Sequence, residues 1–123
     1  RMQKVGGGAI VSLSSTWNLV YIENYACHGT NKAAVETMVK YAANELGEMG
    51  IRVNAVSGGP IDTDALKAFT NYEEVKAKTA EYSPLNRIGQ PQDLAQSCYF
   101  LCTSDASWIT GHTLIVDGGT TFR

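Results

Sequence analysis

The chain contains three short apolar runs, at residues 9–15, 51–57 and 112–116. Each contains aliphatic or β-branched residues and ends near serine, glycine or aspartate, which is typical of strands buried on both faces of a parallel sheet. Helix-forming residues at helical spacing predict helices at 32–48, 72–82 and 91–102. A shorter helix is predicted at 62–69, with Asp62 or Thr63 as its cap. This alternation predicts an α/β fold with parallel strands and right-handed crossovers.

The segment that follows the first predicted strand, residues 16–24, is unusually apolar for a loop. It includes the aromatic side chains of Trp17 and Tyr21 and the aliphatic side chains of Val20 and Ile22. Clusters of apolar residues on a surface usually serve a packing or binding role. We therefore expect this segment to pack against the fold or to line a pocket.

Composition narrows the classes of function. The 123 residues are 44% hydrophobic and 18% charged, which suits one globular domain. A net charge of −2 without a basic stripe argues against a nucleic-acid partner. No apolar run approaches the roughly 20 residues of a membrane span, and no secretory leader is evident, so we expect a cytoplasmic protein with no membrane partner. The three cysteines lack the number and spacing of a metal site and are expected to be reduced thiols, so no metal is predicted.

The candidate chemistry lies between the first two predicted strands, where Tyr25 precedes Lys32 by seven residues. A nearby ammonium ion stabilises a phenolate, which makes the phenol a better proton donor. A reductase or dehydrogenase needs such a donor beside a carbonyl oxygen. Taken alone, a tyrosine and a lysine at this spacing are more often surface residues, and it is their flanking segments that favour a site.

Those flanking segments resemble a known family. Ser14 and Ser15 end the first strand, Arg-Val-Asn-Ala-Val occupies residues 52–56, Ile-Asp-Thr residues 61–63 and Val-Asp-Gly-Gly residues 116–119. Together with Tyr25 and Lys32 they resemble the short-chain dehydrogenase/reductase superfamily over the whole chain. The resemblance implies a Rossmann-like, doubly wound parallel sheet. It also implies that residues 1–123 are the C-terminal, catalytic half of one domain, with the phosphate-binding half expected before Arg1.

The spacing of the two residues resembles one branch of the superfamily. Most members place the tyrosine and lysine four residues apart, whereas Gly29 stands four after Tyr25 here. Tyr-x6-Lys, with Glu-Asn-Tyr at 23–25 and Asn-Ala-Val-Ser-Gly-Gly at 54–59, is similar to the type III enoyl-acyl-carrier-protein reductases of fatty-acid synthesis. This implies reduction of the 2,3 double bond of an enoyl thioester carried on acyl carrier protein. It also implies NADPH as cofactor, with NADH as the alternative, and a homotetramer.

By the same resemblance, Tyr25 polarises the thioester carbonyl and supplies a proton, while Lys32 holds the nicotinamide ribose and favours the phenolate. Ser15 stands where related dehydrogenases keep a substrate-binding serine; capping of backbone at the strand end is an equally good interpretation. Gly59, Ile61 and Thr63 match the cofactor-binding segment, Ile61 through its backbone and Thr63 through its hydroxyl.

Two alternatives stay open. The first is another member of the superfamily, acting on a ketone or an alcohol. The second is a non-catalytic fragment or interaction module, because the phosphate-binding loop is not among residues 1–123.

Overall fold

The computed structural model describes residues 1–68 and 70–122. The helices and strands alternate along the chain, in the order β1 Gly8–Ser15, α1 Ala26–Gly47, β2 Ile51–Gly58, α2 Asp64–Lys67, α3 Tyr72–Tyr82, α4 Pro91–Cys102 and β3 Thr113–Val116. Short 3-10 turns occur at Met2–Val5, Thr16–Asn18, Ser104–Ala106 and Thr120–Phe122.

The three strands form one parallel sheet in the order β1-β2-β3. β1 pairs with β2 along its whole length, from Gly8 opposite Ile51 to Ser15 opposite Gly58. β3 pairs only with the second half of β2, ending with Val116 opposite Gly58. The Rossmann-like α/β architecture expected from the sequence is confirmed, and all three strands end at the same edge of the sheet.

Helices cover both faces of this sheet. On one face, Val39 and Ala43 of α1 pack against Val53 and Ala55 of β2. On the other face, Leu101 of α4 packs in a second core cluster that includes Val56, Ala106, Val11 and Leu114. Successive side chains of a strand point to opposite faces, which is why the odd and even positions of β2 enter different cores.

The placement of α1 and α4 on opposite faces corrects one expectation. Both connections step in the same direction across the sheet, from β1 to β2 and from β2 to β3. Two such connections that pass over opposite faces must have opposite hands. The expectation that both crossovers are right-handed is therefore wrong for one of them. The hydrophobic pattern does not reveal this, because a strand buried on both faces is apolar whichever face its helix covers.

Two helix boundaries differ from those predicted. α1 begins at Ala26 rather than at Lys32, and its first turn is closed by a hydrogen bond from the Gly29 N–H to the Tyr25 carbonyl (2.9 Å). Thr30 also donates to the Ala26 carbonyl (2.9 Å). α2 is shorter than predicted and Thr63, not Asp62, caps it. The predicted end of that helix, residue 69, lies outside the described residues.

Candidate active site

The ends of β1 and β2 bring the predicted residues together. Ser15 and Gly58 are register partners at the final position of the two strands. The buried Thr16 hydroxyl donates to the Gly58 carbonyl (3.3 Å), so the two loops leave the sheet side by side. Ligands of open α/β sheets bind at this carboxyl edge. The predicted catalytic and cofactor segments therefore start from the same place in the fold.

Tyr25 lies at the N-cap position of α1, one residue outside the helix (φ −107°, ψ 15°). Seven residues are nearly two helical turns, so Tyr25 and Lys32 project from the same side of α1, separated by about 10 Å along its axis. At a spacing of four residues the separation would be about 6 Å.

Lys32 is tied to the first strand. Its Nζ donates a hydrogen bond to the Leu13 carbonyl (3.0 Å), and the side chain is partly exposed. An ammonium group has three donors. One is used by Leu13, which leaves the others for a ligand at the end of β1.

Tyr25 belongs to a group of three aromatic rings. Its ring centroid lies 4.7 Å from that of Trp17 at an interplanar angle of 86°. His28 completes the group, 5.8 Å from Tyr25 and 5.9 Å from Trp17. His28 is not among the site residues predicted from the sequence; it is exposed on the helix surface, and its ring lies beside the candidate catalytic ring. The available signal was the spacing of three between residues 25 and 28, which places side chains on one helix face.

Ser15 caps the turn that carries Trp17. Its Oγ accepts a hydrogen bond from the Trp17 N–H (3.3 Å), at the start of the 3-10 helix Thr16–Asn18. This is the backbone-capping role weighed from the sequence. The hydroxyl proton is not used in that bond, so the substrate-binding role of Ser15 stays a prediction.

The loop after β2 is held tightly at Gly59. Its N–H donates to the Val116 carbonyl (3.1 Å), and a Cβ placed at this position would lie 2.6 Å from the Cβ of Asp117. Only glycine fits there without displacing Asp117. The predicted cofactor loop is thus anchored to the end of β3 as well as to β2.

Ile61 lies in this loop with its own backbone groups turned outward. It forms an isolated parallel bridge with Gly89, made by Asp62 N–H to the Gly89 carbonyl (2.9 Å) and Gly89 N–H to the Pro60 carbonyl (3.2 Å). In a parallel bridge the central residue directs its own N–H and carbonyl away from the partner. The described residues form no hydrogen bond with these two groups of Ile61. They are free for a ligand, as the prediction for Ile61 requires.

Thr63 uses its hydroxyl as a helix cap, accepting from the Leu66 N–H (3.4 Å). Next to it, Asp62 accepts a hydrogen bond from the Tyr72 hydroxyl (3.0 Å) and pairs with Lys76 (3.6 Å). Burial raises the pKa of the Asp62 carboxyl, but Tyr72 and Lys76 outweigh it and the pKa is lowered. The sequence predicts Asp62 only as a possible helix cap, and this link to α3 appears only in the structure.

A cavity of about 380 Å³ lies between α4, β3 and the loops at residues 60–61 and 85–89. Ile61 lines it, but Ser15, Tyr25 and Lys32 do not.

Within residues 1–68 and 70–122, no cluster of three or more His, Cys, Asp or Glu side chains could hold a metal ion. None of the helices in those ranges is both long and apolar enough to cross a membrane.

The predicted site residues Tyr25, Ile61 and Thr63 all lie in the segments that follow β1 and β2, at the carboxyl edge of a Rossmann-like sheet. The family profile described as enoyl-(acyl carrier protein) reductase matches residues 1–121. The chain therefore belongs to the short-chain dehydrogenase/reductase family.

Characterised relatives differ in their chemistry. The chain is 41% identical to the 7alpha-hydroxysteroid dehydrogenase of Escherichia coli, over 96% of this chain and 46% of that protein. It is 44% identical to the 1-cyclohexenylcarbonyl-CoA reductase of Streptomyces collinus, over 92% of this chain and 41% of that protein. The chain thus spans less than half the length of these two relatives.

Solved structures have the same fold. A short-chain dehydrogenase/reductase from Mycobacterium ulcerans superposes with a TM-score of 0.91 at 36% identity, covering 99% of this chain and 44% of that one. The 7 alpha-hydroxysteroid dehydrogenase complexed with NADH superposes with a TM-score of 0.89, covering 96% of this chain and 46% of that one. ElxO with NADP bound superposes with a TM-score of 0.86 at 36% identity, covering 99% of this chain and 50% of that one.

Proposed function

We propose that the protein carrying this chain is a nicotinamide-dependent oxidoreductase that interconverts a secondary alcohol and a ketone. The observation that carries the proposal is that Tyr25 stands at the start of α1 while Lys32 of the same helix is hydrogen-bonded to β1, beside the edge where β1 and β2 end. The similarity to a hydroxysteroid dehydrogenase supports the alcohol–ketone reaction over other reactions of the family.

In this reaction Tyr25 donates a hydrogen bond to the substrate oxygen and moves a proton to or from it. The phenolate that remains after donation is stabilised by the Lys32 ammonium. Lys32 keeps its position because one donor is already bound to the Leu13 carbonyl. The exchange of a phenol proton with a carbonyl oxygen is ordinary general acid–base catalysis.

The residues at this edge also suit a nicotinamide cofactor, which supplies or accepts the hydride when bound. Lys32 offers free donors to ribose hydroxyls, and the outward N–H and carbonyl of Ile61 can pair with the carbonyl oxygen and the NH2 group of a carboxamide. Gly59 holds the loop after β2 against Asp117 at the end of β3, and Thr63 ends that loop as the N-cap of α2. NADPH is the cofactor predicted from the resemblance, with NADH as the alternative. Similar solved structures hold NADP in one case and NADH in another.

A second candidate is reduction of an enoyl thioester, on coenzyme A or acyl carrier protein. The observation that favours it is the Tyr-x6-Lys spacing, which places Tyr25 about 10 Å along the axis from Lys32. That distance leaves room for a substrate whose reacting carbon lies beyond the carbonyl. The family description and the similarity to a cyclohexenylcarbonyl-CoA reductase agree with it.

The two candidates separate in one set of assays. Nicotinamide absorbance is followed with 7α-hydroxysteroids and cyclic ketones in one arm and with crotonyl thioester in the other, each with both cofactors. Turnover in the first arm alone supports alcohol–ketone chemistry, and turnover in the second alone replaces it with enoyl reduction. Absence of cofactor binding in a fluorescence titration would support the non-catalytic alternative.

Tyr25→Phe tests the catalytic role itself. Removal of the general acid should lower kcat by roughly 10²–10⁴. Tyr99→Phe is the matched control, because Tyr99 is 74% exposed on α4. Unchanged turnover in Tyr25→Phe would refute the assignment.

We also propose that α1 contributes to a homotetramer. Its outer surface carries the exposed apolar residues Met38 and Tyr41. Light scattering measures the assembly state, and Tyr41→Glu should reduce it if this surface is an interface. A cytoplasmic location stays a prediction.

A further inference from the structure

We infer that Trp17 is a positioning residue that holds the Tyr25 phenol in its reactive place, an inference that rests on the proposed role of Tyr25. It assigns a function to the apolar loop between β1 and α1. It also gives Ser15 a part in the site through Trp17, in addition to any contact with substrate.

The position of Tyr25 explains why such a residue is needed. Tyr25 is the N-cap of α1, so its backbone is not part of the regular helix. Its N–H donates to the Ile22 carbonyl (3.2 Å), which restrains the backbone of the turn but not the ring. A side chain at the start of a helix has no preceding turn to pack against. Its orientation must come from another element.

Trp17 supplies that orientation. The centroid distance of 4.7 Å and the angle of 86° to the Tyr25 ring describe an edge-to-face pair. Such pairs prefer separations of about 4.5–7 Å and this orientation. His28 contacts both rings, at 5.8 Å from Tyr25 and 5.9 Å from Trp17. The phenol is therefore bordered by an indole and an imidazole.

Trp17 is itself held by three contacts of its turn. Ser15 Oγ accepts its N–H (3.3 Å), and Thr16 anchors the same turn to the Gly58 carbonyl (3.3 Å). On the other side, a Cβ at Gly29 would lie 3.1 Å from the Trp17 carbonyl oxygen, so α1 packs directly on this backbone. The indole is thus carried by a turn that β1, β2 and α1 fix together. Because this turn is fixed to the sheet, the indole fixes the position of the Tyr25 ring relative to the sheet.

The first test is kinetic and uses the protein that carries this chain. Trp17→Ala should lower kcat by about tenfold or more, because a small misplacement of a reacting group is costly. The cofactor dissociation constant should stay within about twofold, and Trp17→Phe should recover most of kcat because phenylalanine can make the same edge contact. Trp108→Ala is the matched control, since Trp108 is 99% exposed. Equal kcat for Trp17→Ala and wild type would overturn the inference.

A double-mutant cycle separates positioning from general destabilisation. If Trp17 acts only through the Tyr25 phenol, Trp17→Ala should have little further effect on kcat in a Tyr25→Phe background. A full additional loss in that background would overturn the inference. Full activity of Tyr25→Phe alone would instead refute the proposed function, so the two failures are distinguishable.

A spectroscopic test needs no activity. Residues 1–123 contain two tryptophans, Trp17 and Trp108, and in a Trp108→Phe background the emission that a further Trp17→Phe substitution removes is that of Trp17. In that background Tyr25→Ala should shift the Trp17 emission, because it removes the ring against which the indole packs. Tyr99→Ala should leave the emission unchanged. Unchanged emission in both would show that the contact does not exist in solution and would overturn the inference.

Discussion

Replacement of Asn54 by alanine should weaken the attachment of the last strand to the sheet. Asn54 is 1% exposed in the middle of β2, and its carboxamide reaches the segment that leads into β3. Its Nδ2 donates to the Ile109 carbonyl (2.8 Å), and its Oδ1 accepts from the His112 N–H (3.0 Å). Alanine removes both hydrogen bonds at once.

The loss of unfolding free energy depends on the hydrogen bonds that the Ile109 carbonyl and the His112 N–H still make in the variant. The Ile109 carbonyl still accepts from Arg52 Nη1 (3.3 Å), so its loss is that of one ordinary hydrogen bond, about 1 kcal/mol. The described residues offer the His112 N–H no second acceptor, and a donor left unsatisfied costs about 1–3 kcal/mol. The free energy of unfolding should therefore fall by about 2–4 kcal/mol. This is a large fraction of the roughly 5–15 kcal/mol of a typical domain.

Urea unfolding followed by circular dichroism measures the change. With a slope of about 1–3 kcal/mol/M, the midpoint of Asn54→Ala should fall by roughly 0.7–4 M. The control is Asn71→Ala, an exposed asparagine at the start of α3 whose side chain does not cap the helix. If Asn54→Ala lies within about 0.5 kcal/mol of the control, the carboxamide does not link β2 to β3.

Three further predictions concern other parts of the fold. Gly59→Ala should displace the loop after β2, because the added Cβ would lie 2.6 Å from the Cβ of Asp117. Cofactor titration should then show weaker binding. An unchanged dissociation constant would contradict the cofactor-binding role of this loop. The hydrogen bond from Arg87 lowers the pKa of Asp93 to about 2. A lowered pKa contributes stability above the unfolded value of about 4, and that stability is lost as pH falls toward 2. Asp93→Asn should therefore flatten the acid limb of the stability–pH profile, and an unaltered limb would count against it. Leu101→Ala, at a residue 1% exposed, should cost about 2–5 kcal/mol in urea unfolding, and a loss below 1 kcal/mol would mean that the second core is not packed as described.

The strands were predictable because their burial leaves a local signal. A strand covered on both faces is a continuous apolar run, and β1, β2 and β3 all lie within one residue of the predicted ends. The start of α1 was not predictable in the same way. Residues 26–31 include His28, Gly29, Thr30 and Asn31, which are weak helix formers. The first turn forms because it packs on the backbone of Trp17, a contact that no local propensity contains.

The candidate site also has features that are predictable from the local sequence and features that depend on tertiary contacts. The candidate chemistry is predicted from the sequence: a phenol and an ammonium lie seven residues apart, between strands that match a known family. That information is carried by residue type and spacing, which are properties of the chain. How these groups are held depends on the folded arrangement: the indole of Trp17 packs against Tyr25, and the Leu13 carbonyl binds Lys32. The opposite hands of the two crossovers likewise appear only in the fold. Each of these depends on elements that are distant in sequence and meet only when the two cores form, so no local pattern encodes them.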